Sequence, residues 1–366
     1  MSENNEINES LNKNNKVPKL RFPEFNDEWN NLRLGDILKI QNGKDQKEIE
    51  ISSGVYKIYG TGGVIGYTNN FLYNKESVGI GRKGTINRPF YFNEPFWTVD
   101  TLFWSKIKAN YFPKFIYYLF FTIEWNKLNQ STGLPSLTSR VIEHQKIFIP
   151  KLDEQKKIAM FFTIIDKKID VINSKIAILK KYKEGIMIKC YELAKNPLIS
   201  LSKLVKNNTI LLGRGEIIPK QNGTFPVYSS SAANNGLFCF RNKYSFDEEL
   251  ITWSIDGGGK PFLRNKHKFS ITNVCGYAKI LDLNKFSYSW LYINFWNSWR
   301  KIKFDYTTKA HPSAIEKLYK IKSLDIESQM KIEKILTYIN NKIDYLIKEL
   351  NDVTLTKESL LRSLFF

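Results

Sequence analysis

The stretch from Leu152 to Glu192 recurs without a gap as Ile326 to Phe366, 174 positions later. Gln155 meets Gln329, Lys157-Ile158 meets Lys331-Ile332, Lys168-Ile169-Asp170 meets Lys342-Ile343-Asp344, and Lys183-Glu184 meets Lys357-Glu358. Roughly a quarter of the pairs are identical, a modest signal for an internal repeat. The apolar spacing is stronger. Ile158, Phe162, Ile165, Ile169, Ile172, Ile176, Leu179 and Ile186 fall at alternating steps of four and three, skipping Lys183. Ile332, Leu336, Ile339, Ile343, Leu346, Leu350, Val353 and Leu360 do the same, skipping Lys357. That alternation lays one narrow seam along a helix, the coiled-coil pattern. At about 1.5 Å per residue each helix reaches roughly 60 Å. Two helices of one register in one chain should pack on each other, most simply antiparallel about a pseudo-twofold axis. Unrelated amphipathic helices would not share the position of a polar interruption.

The chain of 366 residues has room for two or three domains, and 42% hydrophobic with 14% aromatic residues describes a folded protein. No apolar run reaches the length of a membrane span, and the N-terminus is polar. Asn4, Asn5, Asn8, Asn12, Asn14 and Asn15 predict a disordered tail over residues 1–17. Cys190, Cys239 and Cys275 lie too far apart for a metal motif and form no disulfide framework, which fits a reducing cytoplasm. A formal charge of +19 favours a polyanionic partner, and nucleic acid is the commonest.

Outside the long helices the sequence follows one plan twice. From Ile40 to Trp104, short β-like runs alternate with Gly and Asn turns. Pro113 to Leu128 reads as an aromatic helix, Ser131 to Ser136 as a loop, and Val141 to Ile149 as a short helix or strand ending at Pro150. In the second half Phe225 to Ser229 matches Tyr56 to Gly60, Ser287 to Phe304 is again an aromatic helix, and Thr307 to Ser313 is again a loop. The expected fold is α+β, with mixed α/β modules at 18–150 and 196–324 and long helices at 151–195 and 325–366. The helices are closely alike and the modules only loosely so. A symmetric frame with a basic module near each end suits two half-sites on duplex DNA, whose major-groove windows on one face recur about every 34 Å.

Pro18-Lys19-Leu20-Arg21-Phe22-Pro23-Glu24-Phe25 with Trp29, Ile149-Pro150-Lys151-Leu152-Asp153-Glu154-Gln155-Lys156-Lys157-Ile158 and the echo Glu327-Ser328-Gln329-Met330-Lys331-Ile332 carry a family resemblance. From about Pro18 to Phe366 the chain resembles the DNA-specificity subunit of a type I restriction-modification system. Leu324 stands where Pro150 does, so the second helix need not start as the first does. The resemblance implies that each module is a target-recognition domain reading one part of a split, asymmetric site in double-stranded DNA. It implies that the long helices set the unread gap and dock two adenine-methyltransferase subunits. Those subunits and the restriction/translocase subunits would carry S-adenosylmethionine, ATP, Mg and all the chemistry, leaving this chain without catalysis or cofactor.

A search for active-site motifs agrees. Gly79-Ile80-Gly81-Arg82-Lys83-Gly84 spells a dinucleotide fingerprint, but Thr85 to Tyr91 continues extended through Pro89 where a helix is required. Gly257-Gly258-Gly259-Lys260 is followed by Pro261, not Ser or Thr. No Asn-Pro-Pro-Tyr-type run is present, and Glu154-Gln155-Lys156, which imitates a nuclease pattern, sits in the first helical turn where acids suit the dipole. His144, His267 and His311 lack ligands at metal spacing. The aromatic runs Phe115–Phe121 and Trp290–Trp299 read as core before they read as base-stacking platforms. For DNA contact, cations and amides on Gly-rich turns and loops are the candidates: Arg82, Lys83, Asn87 and Arg88, with Lys57 and Ser136, in the first module. In the second they are Lys260, Arg264, Lys266, His267, Lys309 and His311. A stand-alone nuclease with a cryptic site and a coiled-coil protein scaffold are the competing readings.

Overall fold

Gln155 and Gln329, identical in the repeated helices, perform one task in the folded chain. Each is buried beneath the start of an aromatic helix. The Gln155 side chain accepts a hydrogen bond from the Phe112 backbone N–H (2.9 Å) and donates to the Pro150 carbonyl (2.9 Å). Gln329 accepts from the Ser287 N–H (2.7 Å) and donates to the Lys285 and Leu324 carbonyls (2.8 and 2.7 Å). Buried backbone groups left by the chain reversal are satisfied the same way twice. Leu324 therefore does what Pro150 does, and both long helices start alike.

The computed structural model describes residues 17–365 apart from 232, 303 and 305–307. The expected tail, except Val17, lies outside the described residues. The chain divides into two compact units, one running up to Asn173 and adding Glu349–Phe366, the other Ser174–Lys348. In the first unit the order is β1 (Asn30–Arg33), α1 (Leu34–Ile37), β2 (Leu38–Gln41), β3 (Tyr56–Gly60), β4 (Gly63–Thr68) and β5 (Ser77–Gly81). There follow β6 (Phe90–Phe92), β7 (Phe96–Thr98), β8 (Leu102–Ile107), α2 (Pro113–Phe120), α3 (Ser139–His144), β9 (Lys146–Ile149) and the start of α4 (Leu152–Leu193). The second module has β10 (Leu198–Ser200), α5 (Leu201–Lys206), β11 (Ile210–Arg214), β12 (Phe225–Tyr228), β13 (Leu237–Arg241) and β14 (Phe246–Ser254). It continues with β15 (Pro261–Ile271), β16 (Cys275–Ile280), α6 (Tyr288–Lys301), α7 (Pro312–Leu318), β17 (Lys320–Lys322) and α8 (Ile326–Leu364).

The modules are more alike than their sequences. In the second, strands run β11-β16-β14-β15-β12-β13, with β15 antiparallel to β14 and parallel to β12. In the first, β2-β8-β5-β6 and β4-β3-β7 form the same series cut in two, with β7 parallel to β3. The cut is Asn93-Glu94-Pro95 between β6 and β7, where proline has no N–H for a ladder. A two-stranded ribbon closes each module, β1 with β9 and β10 with β17. The aromatic segment at 113–128 is not one helix. α2 stops at Phe120 because Trp125, buried in a 3₁₀ turn (Trp125–Leu128), folds back to donate its indole N–H to the Phe120 carbonyl (2.8 Å).

Both long helices are built as the seam predicts. No seam residue is exposed, while Met160, Ile164 and Tyr345 off the seam are. Within the first unit the pairing is antiparallel: Phe162 packs near Phe365, Asp166 pairs with Lys357 (2.5 Å) and Lys168 with Glu349 (3.1 Å). In the second unit the C-terminal end of α4, through Met187 and Tyr191, shares a core with Leu336 of α8. The polar interruptions are matched. Lys357 has Asp166, and Lys183, its pKa lowered by burial, is held up in part by the charge of Asp344.

The first core gathers Trp29, Phe115, Phe120 and Phe162 with Leu361, Leu364 and Phe365. The second gathers Trp253, Trp290, Phe295 and Tyr319. The aromatic runs of α2 and α6 are thus largely core. Among the described residues the buried Tyr319 hydroxyl has no hydrogen-bond partner, its ring 5.2 Å from Phe295. An orphaned buried hydroxyl costs stability, so Tyr319→Phe is expected to stabilise the second unit by about 1 kcal/mol. Chemical denaturation checks this; a loss of stability would show that the hydroxyl has a partner.

Candidate nucleic-acid interface

Three chain segments meet at one corner of the first module. The turn after β5 is zipped to the loop before α3: the Gly84 N–H donates to the Pro135 carbonyl (2.8 Å) and the Leu137 N–H to that of Arg82 (2.9 Å). Lys83 and Ser136 form a β-bridge there. The Arg88 guanidinium donates to the Gly62 carbonyl (3.3 Å), tying in the tight β3–β4 turn. Lys83, Asn87 and Arg88 are exposed, and Arg82, half-buried, lies 6.0 Å from the Phe103 ring and donates to the Asp100 carbonyl (3.3 Å). Asn129, which the sequence reading missed, shapes this corner: its side-chain oxygen accepts from the Ser131 and Ser136 N–H groups. Its Asn-Gln-Ser-Thr-Gly setting is an ordinary loop signal.

The second module repeats the corner with other residues. The Ala310 N–H donates to the Ile255 carbonyl (3.0 Å), as Leu137 does to Arg82, and the Trp253 indole donates to the Ala310 carbonyl (2.7 Å). Gly258 and Gly259 have φ of +81° and +73°, and a Cβ at Gly259 would lie 2.9 Å from that of Ala310. The Gly-rich run is a tight turn packed under a loop. Lys260 is half-buried beside it.

Of the other candidates, some are paired and some are open to solvent. Lys57 pairs with Glu94 (2.6 Å) and Lys309 with Asp256 (2.9 Å), both exposed and weak. His311 caps α7, its Nδ1 facing the Ser313 N–H (3.4 Å). Lys266 is exposed on β15. Arg264 and His267 are held by neighbouring groups. Arg264 is only 3% exposed, its guanidinium donating to Thr252 Oγ1 and the Asn235 carbonyl. His267 has Nε2 3.1 Å from the Tyr228 hydroxyl and Nδ1 2.6 Å from the Asn265 carbonyl, so both ring nitrogens are engaged.

The motifs that imitate active sites have structural roles. After Gly84 the next regular element is strand β6, not a helix. Glu154 is buried and takes two hydrogen bonds from Arg21 (2.8 and 2.7 Å) and one from the Trp29 indole (3.3 Å). Among the described residues no group of three or more His, Cys, Asp or Glu is placed to hold a metal, and no helix is long and apolar enough to cross a membrane.

Residues 26–181, the first module and the first part of α4, match the type I restriction modification DNA specificity domain. Over 71 residues the chain is 44% identical to a protein described as a type I specificity subunit in Mycoplasma pneumoniae. Over 256 residues it is 24% identical to the MjaVIII type I restriction enzyme specificity subunit of Methanocaldococcus jannaschii. These alignments take in 19% and 61% of this chain, but 23% and 56% of the relatives' own lengths. The fold is similar to that of the type I restriction-modification S subunit of M. genitalium, with a TM-score of 0.61 at 18% identity, covering 96% of this chain and 99% of that one.

Proposed function

We propose that this chain is the DNA-specificity subunit of a type I restriction-modification complex in the cytoplasm. Each module reads one part of a split, asymmetric site in double-stranded DNA. The long helices set the unread gap and dock two adenine-methyltransferase subunits, with restriction/translocase subunits joining them. S-adenosylmethionine, ATP and Mg belong to those partners, and this chain carries no cofactor and no catalysis. The observation that carries the reading is the corner built twice on one strand order, once around Arg82, Lys83 and Arg88 and once around Lys260 and Lys309. One frame with two different sets of side chains is what reading two different sequences requires. The nuclease reading loses its nearest motif, because Glu154 is occupied by Arg21 and Trp29.

The test is a module exchange. With residues 18–150 replaced by the corresponding module of a relative, the full chain and its methyltransferase partner should methylate a two-part motif in which one part has changed and the other is retained. An unchanged motif, or duplex cleavage by the purified chain alone, would overturn the proposal.

A further inference from the structure

The two modules differ in the connection between the second and third strands of their large sheets. In the first, β3 and β4 are joined through Thr61 and Gly62 alone; in the second, β12 and β13 are joined through 229–236. This longer loop lies at the corner of the second module, since a Cβ on Gly257 would sit 2.6 Å from the Ser230 carbonyl oxygen. Its end is closed by the Ser229 N–H donating to the Gly236 carbonyl (2.8 Å). Asn234, Asn235 and Gly236 are all left-handed, with φ of +46°, +53° and +80°. For the two asparagines that conformation is uncommon and must be held by the surroundings. Both asparagines are exposed.

What holds them is Arg264. Its guanidinium lies 3.7 Å from the Tyr228 ring and 4.7 Å from the Phe262 ring. Nε donates to Thr252 Oγ1 (3.0 Å) and Nη1 to the Asn235 carbonyl (2.8 Å). Gly236 leaves the space, since a Cβ there would stand 3.1 Å from Nη2. Burial lowers the Arg264 pKa to about 10, and the groups that oppose this are Tyr228, Cys275 and Tyr292, none of them a carboxylate. A cation buried at such cost for stability alone is a poor arrangement, because an apolar side chain would fill the site more cheaply. In the first module the guanidinium of Arg88 makes the weaker version of the same tie, to the Gly62 carbonyl.

The geometry points to Asn234 and Asn235 as base-reading residues of the second module, with Arg264 as the positioning residue that fixes their loop from beneath. The inference rests on the DNA-specificity reading and assigns it a chemistry. A carboxamide offers a donor and an acceptor side by side, the pattern that pairs with the major-groove edge of adenine. The bases read through this loop are therefore A·T pairs in one part of the site.

The test is selection of bound duplexes from a randomised library by the full chain with its methyltransferase partner. Asn234→Gly with Asn235→Gly keeps the left-handed backbone and removes both amides. It should lower discrimination at A·T positions in one part of the motif by about 10- to 100-fold, leaving the other part and the thermal midpoint as they were. Arg264→Lys keeps the charge and loses the fork; it should weaken the same positions, and binding to unrelated duplex should not change. A wild-type motif from the double glycine variant, or a loss spread over both parts, would overturn the assignment. A module exchange that leaves the motif unchanged would instead overturn the reading beneath it, so the two failures are distinguishable.

Discussion

Arg21→Ala is expected to cost the first unit about 3–5 kcal/mol, the largest single-residue effect foreseen outside the hydrophobic cores. The reason is what it leaves behind. Glu154 has a side chain only 2% exposed, and that of Arg21 is 11% exposed. The guanidinium meets the carboxylate through Nε and Nη2, the bidentate geometry that suits this pair best. The bond to Glu154 is the first cause raising the Arg21 pKa, ahead of the desolvation that opposes it. Without Arg21, a buried carboxylate is left facing the Trp29 indole at 3.3 Å, with no cation to balance it. Replacing both partners together, Arg21→Met with Glu154→Leu, should recover most of the loss, since an apolar pair leaves no charge uncompensated. Nearby Lys157 pairs with Glu24 at 3.1 Å in the open, and Lys157→Ala should change stability by less than about 1 kcal/mol. Denaturant unfolding of the four proteins decides the matter. If Arg21→Ala matches Lys157→Ala, the pair does not anchor the N-terminal segment to α4.

The long helices were legible because a seam obeys one rule along its length, and every seam residue from Ile158 to Leu360 is buried or half-buried. Even the lysine in each seam was informative, since both have an aspartate on the other helix within their own unit. Likeness between the modules was harder to see. Strand order is set by backbone ladders that leave little trace in side-chain identity, and the glutamines that lock each module reach Phe112 and Ser287, more than 40 positions away in sequence. The burial of Arg264 has a local cause that its own stretch of sequence does not announce. A register shift between Glu248 and Leu250 places Leu250 opposite Arg264 and Glu248 opposite His267, so Asn265 and Lys266 are both exposed and the alternation restarts. The extra residue is in β15 itself, Asn265 and Lys266 standing against Glu249 alone, and nothing in the run Leu263-Arg264-Asn265-Lys266 announces it, so Arg264 looks like one more surface cation. The exposure of Lys83, Asn87 and Arg88 was easier to anticipate, because Gly-rich turns keep their side chains outside.

Duplex affinity should fall by about a thousandfold between about 50 and 200 mM salt, as expected when six or more phosphates are neutralised and their counterions released. The formal charge of +19 supplies the cations, but charge alone does not locate them. Arg82, Lys83 and Arg88 meet at one corner and form no ion pair among the described residues, whereas Lys151 and Lys157 are balanced by Asp27 and Glu24. Replacing the three corner cations with Gln should reduce the slope of log affinity against log salt by about 2–3, close to one for each phosphate no longer neutralised. Lys151→Gln with Lys157→Gln should leave that slope nearly unchanged, since those charges are already compensated and lie at the start of α4. Equal slopes for wild type and the triple variant would place the phosphate-binding cations away from this corner. A slope that falls equally in both variants would mean that general charge, and no particular surface, draws the chain to DNA.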